Sequence, residues 1–200
     1  MSRIENLIEI PEVKVLVNME KTCCGEVYFH SLRVAEYTEI ILEEYGKFSE
    51  EQCKEIIKGA LLHDIGKLFI PFNVTEFPRQ LTDNEFEIVK IHTNLGFEIV
   101  EDIFSETVSN IVRYHHEKPD GTGYTSRISL IDIPEEVLVV QIADIYDALT
   151  SNRPYKNSYE KSKALSIMKQ DAENFKLDDL FLNLLEKGLN RRNTRERLYR

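Results

Sequence analysis

Cysteine is scarce in this chain: only Cys23, Cys24 and Cys53 occur, an odd number with no CxxC pair. That excludes a disulfide framework and points to reduced thiols in a cytoplasm, where Cys23 and Cys24 read as small packing residues. No apolar run approaches membrane-spanning length, and no basic-then-apolar leader opens the chain, so a soluble, cytoplasmic protein is expected. Positive charge is also in short supply. Twenty-five Lys and Arg against 35 Asp and Glu give a formal net charge of −10. Such a surface repels a polyanion and excludes a general nucleic-acid binder, while leaving room for a small anion steered by a few local cations. Alternating strand patterns, internal repeats and linkers are missing too.

What is present is helical periodicity over one domain-sized length of 200 residues. The pattern predicts a helix over 1–20 interrupted near Pro11, and a second over 26–45 ended by Gly46. Ser49 with Gln52 reads as a capping box opening a helix that runs to His63-Asp64 and stops near Gly66. Residues 69–81, with Pro71 and Pro78, read as loop. Thr82 with Glu85 repeats the capping pattern for a helix carrying His92 mid-way and reaching about Ile103. Further helices are expected from Glu106 to His116, from Pro134 to Leu149, from Ser158 to about Asn174, and over 178–190. The arginine-rich tail 191–200 reads as frayed and solvated. The fold expected is all-α, a single helical-bundle domain. It divides into an N-terminal helical segment (1–25) packed on a core (26–175), with a C-terminal helix and basic tail (176–200).

All five histidines sit where they can meet a metal. Glu26 and His30, four apart, share a helical face, although this pair alone reads as a surface pair. His63-Asp64 follows the apolar Ala60-Leu61-Leu62, so a charged carboxylate at the core edge needs a partner, and a metal suits it. Lys67 can reach the same cavity as a fixed cation for phosphate oxygens; the plainer alternative is a solvated charge at a helix C-terminus. His92, beside Val89, Ile91 and Leu95, would by itself be a satisfied core histidine. The adjacent His115-His116 is more specific, because two protonated imidazoles there would repel and metal binding keeps them neutral. Asp144 ends the apolar run Val139–Ala143, and Asp147 one turn on reads as a supporting acceptor. Imidazole with carboxylate suits iron, manganese, zinc or nickel, and carboxylates can bridge two ions.

The blocks His63-Asp64-Ile65-Gly66-Lys67, His92, His115-His116, Asp120-Gly121-Thr122-Gly123-Tyr124, Ala143-Asp144 and Asp147-Ala148-Leu149-Thr150 through Arg153-Pro154-Tyr155 stand in a fixed order. Together they resemble the HD-GYP domain, the branch of the HD phosphohydrolase superfamily that hydrolyses cyclic di-GMP in bacteria. The resemblance spans about residues 26–160. It implies an all-helical HD-type bundle and two or three divalent ions, with iron or manganese favoured. By position it implies His63, Asp64, His92, His115, His116 and Asp144 as ligands with Asp64 bridging, and Glu26 and His30 as the extra ligands of three-metal members. Lys67 matches the lysine near the phosphate; Tyr124, Arg153 and Lys156 match residues that contact substrate. Asp64 and Lys67 are the expected catalytic residues, and the implied product is pGpG, or GMP after a second cut.

Two departures stand out. The Gly-Tyr-Pro signature reads Gly123-Tyr124-Thr125, which removes the rigid turn of proline and predicts a looser substrate loop. Pro119 stands where many members carry tryptophan. Members usually carry a receiver or sensory domain as well, for which this length leaves no room. The competing readings are a hydrolase of another cyclic dinucleotide or nucleotide phosphoester, and a non-catalytic cyclic di-GMP sensor signalling through a partner protein. A homodimer is compatible with either.

Overall fold

The computed structural model describes residues 2–71, 74, 79, 81–152 and 158–198, without the side chains of 193 and 195–198. Arg153 and Lys156 lie outside the described residues. The helices are α1 (Arg3–Ile8), α2 (Pro11–Cys23), α3 (Gly25–Tyr45), α4 (Glu50–Leu62), α5 (Asp83–Lys90), α6 (His92–Val100), α7 (Glu106–Tyr114), α8 (Glu135–Thr150), α9 (Lys161–Glu173) and α10 (Asp179–Leu198), with a 3-10 turn at Ile65–Phe69. No strand occurs among the described residues.

Local chemistry sets most of the boundaries. Ile10 precedes Pro11, whose fixed φ suits the start of α2. Gly46 ends α3 in the left-handed conformation, at φ 65°. Both expected capping boxes form: Ser49 and Thr82 accept from the backbone N–H three residues on, and Gln52 and Glu85 return the bond. Helix α3 is the axis of the bundle, with α2, α4, α8 and α10 packed round it. Ile41, Ile57, Leu62, Val112, Val140, Ile142 and Leu182 in this interior are fully buried. Each such aliphatic contributes about 1.5–3 kcal/mol relative to exposure.

Several expectations need correction. The helix from Thr82 does not continue to Ile103; it breaks at Ile91, so His92 opens α6 instead of sitting mid-helix. The Val89 carbonyl, which a continuous helix would offer to the Thr93 N–H, accepts from the His92 ring at 2.7 Å. Helix α4 ends at Leu62, and Gly66 lies inside the following 3-10 turn. Pro134 is the residue before α8, not part of its first turn. Ser158 does not cap α9, which starts at Lys161 after Glu160. Among the described residues the tail is helical and not frayed: α10 runs to Leu198, with Arg191 2.9 Å from Glu44 and Arg192 3.4 Å from Glu43 on α3.

Gly66 fixes one approach on which the site depends. A Cβ there would fall well inside contact distance of the His92 carbonyl oxygen and the Gly96 amide, both backbone atoms that cannot move aside. Gly66→Ala therefore separates the turn from α6 and lowers stability by about 3 kcal/mol or more, measured by urea unfolding. Gly25→Ala, where nothing lies within 4 Å of the added carbon, leaves the midpoint unchanged or slightly raised.

Candidate metal centre

Five segments converge on one buried point. Helix α3 supplies His30, the end of α4 supplies His63 and Asp64, α6 supplies His92 from its first residue, the end of α7 supplies His115 and His116, and α8 supplies Asp144. His63 and His92 are 0% exposed, Asp64 and His115 1%.

The backbone orients three of the rings. His63 Nδ1 donates to the Ala60 carbonyl at 2.8 Å, His92 Nδ1 to Val89 at 2.7 Å, and His115 Nδ1 to Val112 at 3.0 Å. A carbonyl only accepts, so each Nδ1 carries a proton and each ring turns its Nε2 inward; His63 and His115, which burial holds neutral, present lone pairs there. Those lone pairs meet no hydrogen. His92 Nε2 and His115 Nε2 stand 3.3 Å apart, and His63 Nε2 and Asp64 Oδ1 are buried with no hydrogen-bond partner. Facing lone pairs repel unless a cation lies between them. Two nitrogens each about 2.1 Å from one ion, at tetrahedral or octahedral angles, lie about 3.0–3.4 Å apart. The residues present thus fit a metal.

Ligand atoms within 4.8 Å of one another form two groups, His30-His63-Asp64 and Asp64-His92-His115-His116. Asp64 belongs to both. Its Oδ2 lies 3.4 Å from His63 Nε2 and 3.6 Å from His30 Nε2, and its Oδ1 lies 3.3 Å from His92 Nε2 and 3.8 Å from His115 Nε2. Asp144 Oδ1 is 3.0 Å from His30 Nε2. Glu26 is exposed at the start of α3 and belongs to neither group.

The electrostatics follow from burial and pairing. Burial pushes His63 down; burial and His116 hold His115 well below its ordinary value; burial and His92 push His116 down to about 3. Burial alone would raise Asp64, but Lys67, 2.6 Å away at Nζ, and then His63 hold it well below the carboxylate range. His30 moves the other way. Burial pulls it down, yet its hydrogen bonds to Asp144 and Asp147 leave it raised.

Asp147 is the supporting acceptor expected of it. It accepts from His30 Nδ1 at 2.7 Å, from Arg33 Nε at 2.6 Å and Nη2 at 3.0 Å, and from Ser151 Oγ at 2.8 Å. That fixes the His30 ring with Nε2 inward, as carboxylates behind metal-bound imidazoles do. The Arg33 partner was missed, although its place three residues after His30 puts it on the same face.

Other residues had no signal of their own. Glu117 is fully buried; its Oε1 accepts from the backbone N–H of Ser126 and Arg127, and its own carbonyl accepts from Gln141 Nε2. Thr93 Oγ1 meets Thr125 Oγ1 at 2.5 Å. The 117–127 loop is therefore held by side chains where proline is lacking, and is not loose as expected. Within it Gly123 lies so close to Glu117 Cα and the His116 carbonyl that a side chain would not fit. Tyr124 stacks on His116 with ring centroids 4.7 Å apart. Glu20 on α2 is fully buried with neither carboxylate oxygen partnered.

A family model described as an HD domain matches residues 14–180. The chain belongs to the HD domain family. A cyclic di-GMP phosphodiesterase of Thermotoga maritima is 42% identical over 135 residues, covering 66% of this chain and 36% of the relative. A 3'3'-cGAMP-specific phosphodiesterase 3 of Vibrio cholerae is 33% identical over 162 residues, covering 80% and 35%. The chain thus spans about a third of the length of these curated relatives. Among solved structures, Bd1817, an HDG"Y"P protein from Bdellovibrio bacteriovorus, superposes with TM-score 0.69 at 21% identity, over 94% of this chain and 68% of that one. The HD-GYP resemblance and the all-helical HD fold are borne out. No helix among the described residues is long and apolar enough to cross a membrane.

Two outcomes follow. Asp147→Asn removes the anion behind His30 and weakens divalent-metal binding about 10- to 100-fold, read by titration calorimetry. Burial pushes Glu20 well above the usual carboxylate range, so the folded state keeps a proton that the unfolded chain releases above about pH 4.3. Its contribution is present at low pH and declines as pH rises. In metal-free protein Glu20→Gln accordingly raises the melting temperature at pH 8 and leaves it nearly unchanged at pH 4.

Proposed function

We propose that this domain is a metal-dependent phosphodiesterase that hydrolyses cyclic di-GMP to pGpG or GMP. The observation that carries the reading is the set of inward-facing Nε2 atoms of His63, His92 and His115 around the Asp64 carboxylate. The names of the sequence relatives supply the substrate class.

His30, His63, Asp64, His92, His115, His116 and Asp144 are the proposed ligands. Two groups sharing Asp64 would hold two ions, with Asp64 available to both. Glu26, the proposed extra ligand of a third ion, stands outside both. Iron and manganese are the proposed metals, since both accept mixed imidazole and carboxylate ligands.

Divalent ions, when bound, supply Lewis-acid activation of water and of the phosphate. The chain's own groups do the rest. Asp64, kept ionised chiefly by Lys67, orients the attacking water. Lys67 sits at the rim, its side chain 22% exposed, where its ammonium faces the charge that develops on the phosphate oxygens. The buried rings keep bulk water from the reacting centre. Tyr124 on the glycine-tyrosine loop faces the substrate. Arg153 and Lys156 are proposed as substrate contacts on the resemblance alone; a guanidinium suits bidentate binding of the second phosphate.

A second reading keeps the chemistry and changes the nucleotide. Thr125 in place of proline, and relatives named as 3'3'-cGAMP-specific phosphodiesterases, favour it. The test is elemental analysis of protein purified without oxygen, with turnover of cyclic di-GMP, 3'3'-cGAMP and cyclic di-AMP side by side. Wild type is expected to carry about two ions and to cleave cyclic di-GMP fastest, and His63→Ala and Asp64→Ala to lose more than about a hundredfold. Wild-type turnover by either variant overturns the reading. Tight binding without turnover by the metal-loaded protein would make it a sensor.

A further inference from the structure

The surface leading out of the metal centre is aromatic and cationic. Tyr124 is half-buried, its ring 32° from parallel with that of His116. Phe86, in the first turn of α5, meets Tyr124 edge-on, with centroids 6.2 Å apart at 81°. Lys90, one turn further along the same face, holds its ammonium 4.8 Å from the Phe86 ring and 5.5 Å from Tyr124, with Glu87 as its ion-pair partner. Phe86 and Tyr124 come from segments 38 residues apart (124 − 86) and reach one rim. The Thr82–Glu85 capping box locks the first turn of α5, and with it the direction of Phe86.

Core packing does not account for this arrangement. Phe86 is 44% exposed and is not part of the apolar cluster of the interior. An exposed aromatic ring under an ammonium, beside the proposed phosphate site, has the chemistry of a nucleobase seat. Stacking on aromatic side chains contributes about 1–3 kcal/mol per base. A lysine beside the stack selects a ring edge that presents two acceptors, as N7 and O6 of guanine do. Adenine places an amino donor there instead.

We propose that Phe86, Lys90 and Tyr124 seat one guanine base of the cyclic dinucleotide, with Phe86 and Tyr124 bounding its face and Lys90 reading its acceptor edge. This rests on the phosphodiesterase reading and deepens it. Phe86 and Lys90 set affinity and base preference, while the ligand set around Asp64 sets the rate. Phe86→Trp preserves the seat.

The test uses the metal-loaded chain. Phe86→Ala is expected to raise KM for cyclic di-GMP about tenfold, with kcat lowered less than about twofold. Lys90→Gln is expected to lower the preference for cyclic di-GMP over cyclic di-AMP about tenfold. The emission of a cyclic dinucleotide carrying 2-aminopurine is expected to be quenched by wild type and by Phe86→Trp, and not by Phe86→Ala. Circular dichroism of each variant confirms the fold. If wild type cleaves cyclic di-GMP while Phe86→Ala keeps its KM and its quenching, the seat is refuted and the phosphodiesterase stands. If wild type neither cleaves nor binds any cyclic dinucleotide, both fall.

Discussion

A carboxylate buried among uncompensated nitrogen lone pairs is the constraint on which the rest of this molecule turns. Asp64 is 1% exposed and keeps its charge, and three of its neighbouring imidazoles, His63, His92 and His115, donate Nδ1–H hydrogen bonds to backbone carbonyls. Lys67 is the only full cation within hydrogen-bonding distance of it among the described residues. Such a centre is stable only because apolar helices hold it in place, and a cation is the natural completion of its charge.

The bundle is arranged to impose that geometry. Helix α3 runs along the axis and carries His30. The close contact at Gly66 brings the Asp64 turn onto the first residue of α6, which is where His92 stands. The His115-His116 pair closes the far side from the end of α7, and α8 presents Asp144 and Asp147 one turn apart. Packing provides precision, while the carbonyls at Ala60, Val89 and Val112 provide orientation.

Features legible in the sequence are those whose cause is local. The capping boxes at Ser49 and Thr82 and the stop at Gly46 depend on a few neighbouring residues, and so did the reading of Asp147 behind a buried helix. Ordered blocks of histidine and aspartate made the family plain. Features that escaped depend on partners remote in the chain. Thr93 finds Thr125, Glu117 finds the amides of Ser126 and Arg127, and α10 is extended by ion pairs to Glu43 and Glu44. Glu20, preceding Lys21, looks like a solvated helix residue, and the packing of α2 on α3, α4 and the 3-10 turn goes with its burial. The break at Ile91 arises because a side-chain ring competes for a carbonyl, which periodicity does not register.

The hydrogen bond between His30 and Asp147 ties residues 117 positions apart. Synthesis must therefore pass Asp147 before this tether can close, and shorter products leave the His30 ring unsupported. A site assembled from segments so far apart in sequence takes shape only with the collapse of the whole bundle, so its donors are gathered by long-range packing and not by local chain structure.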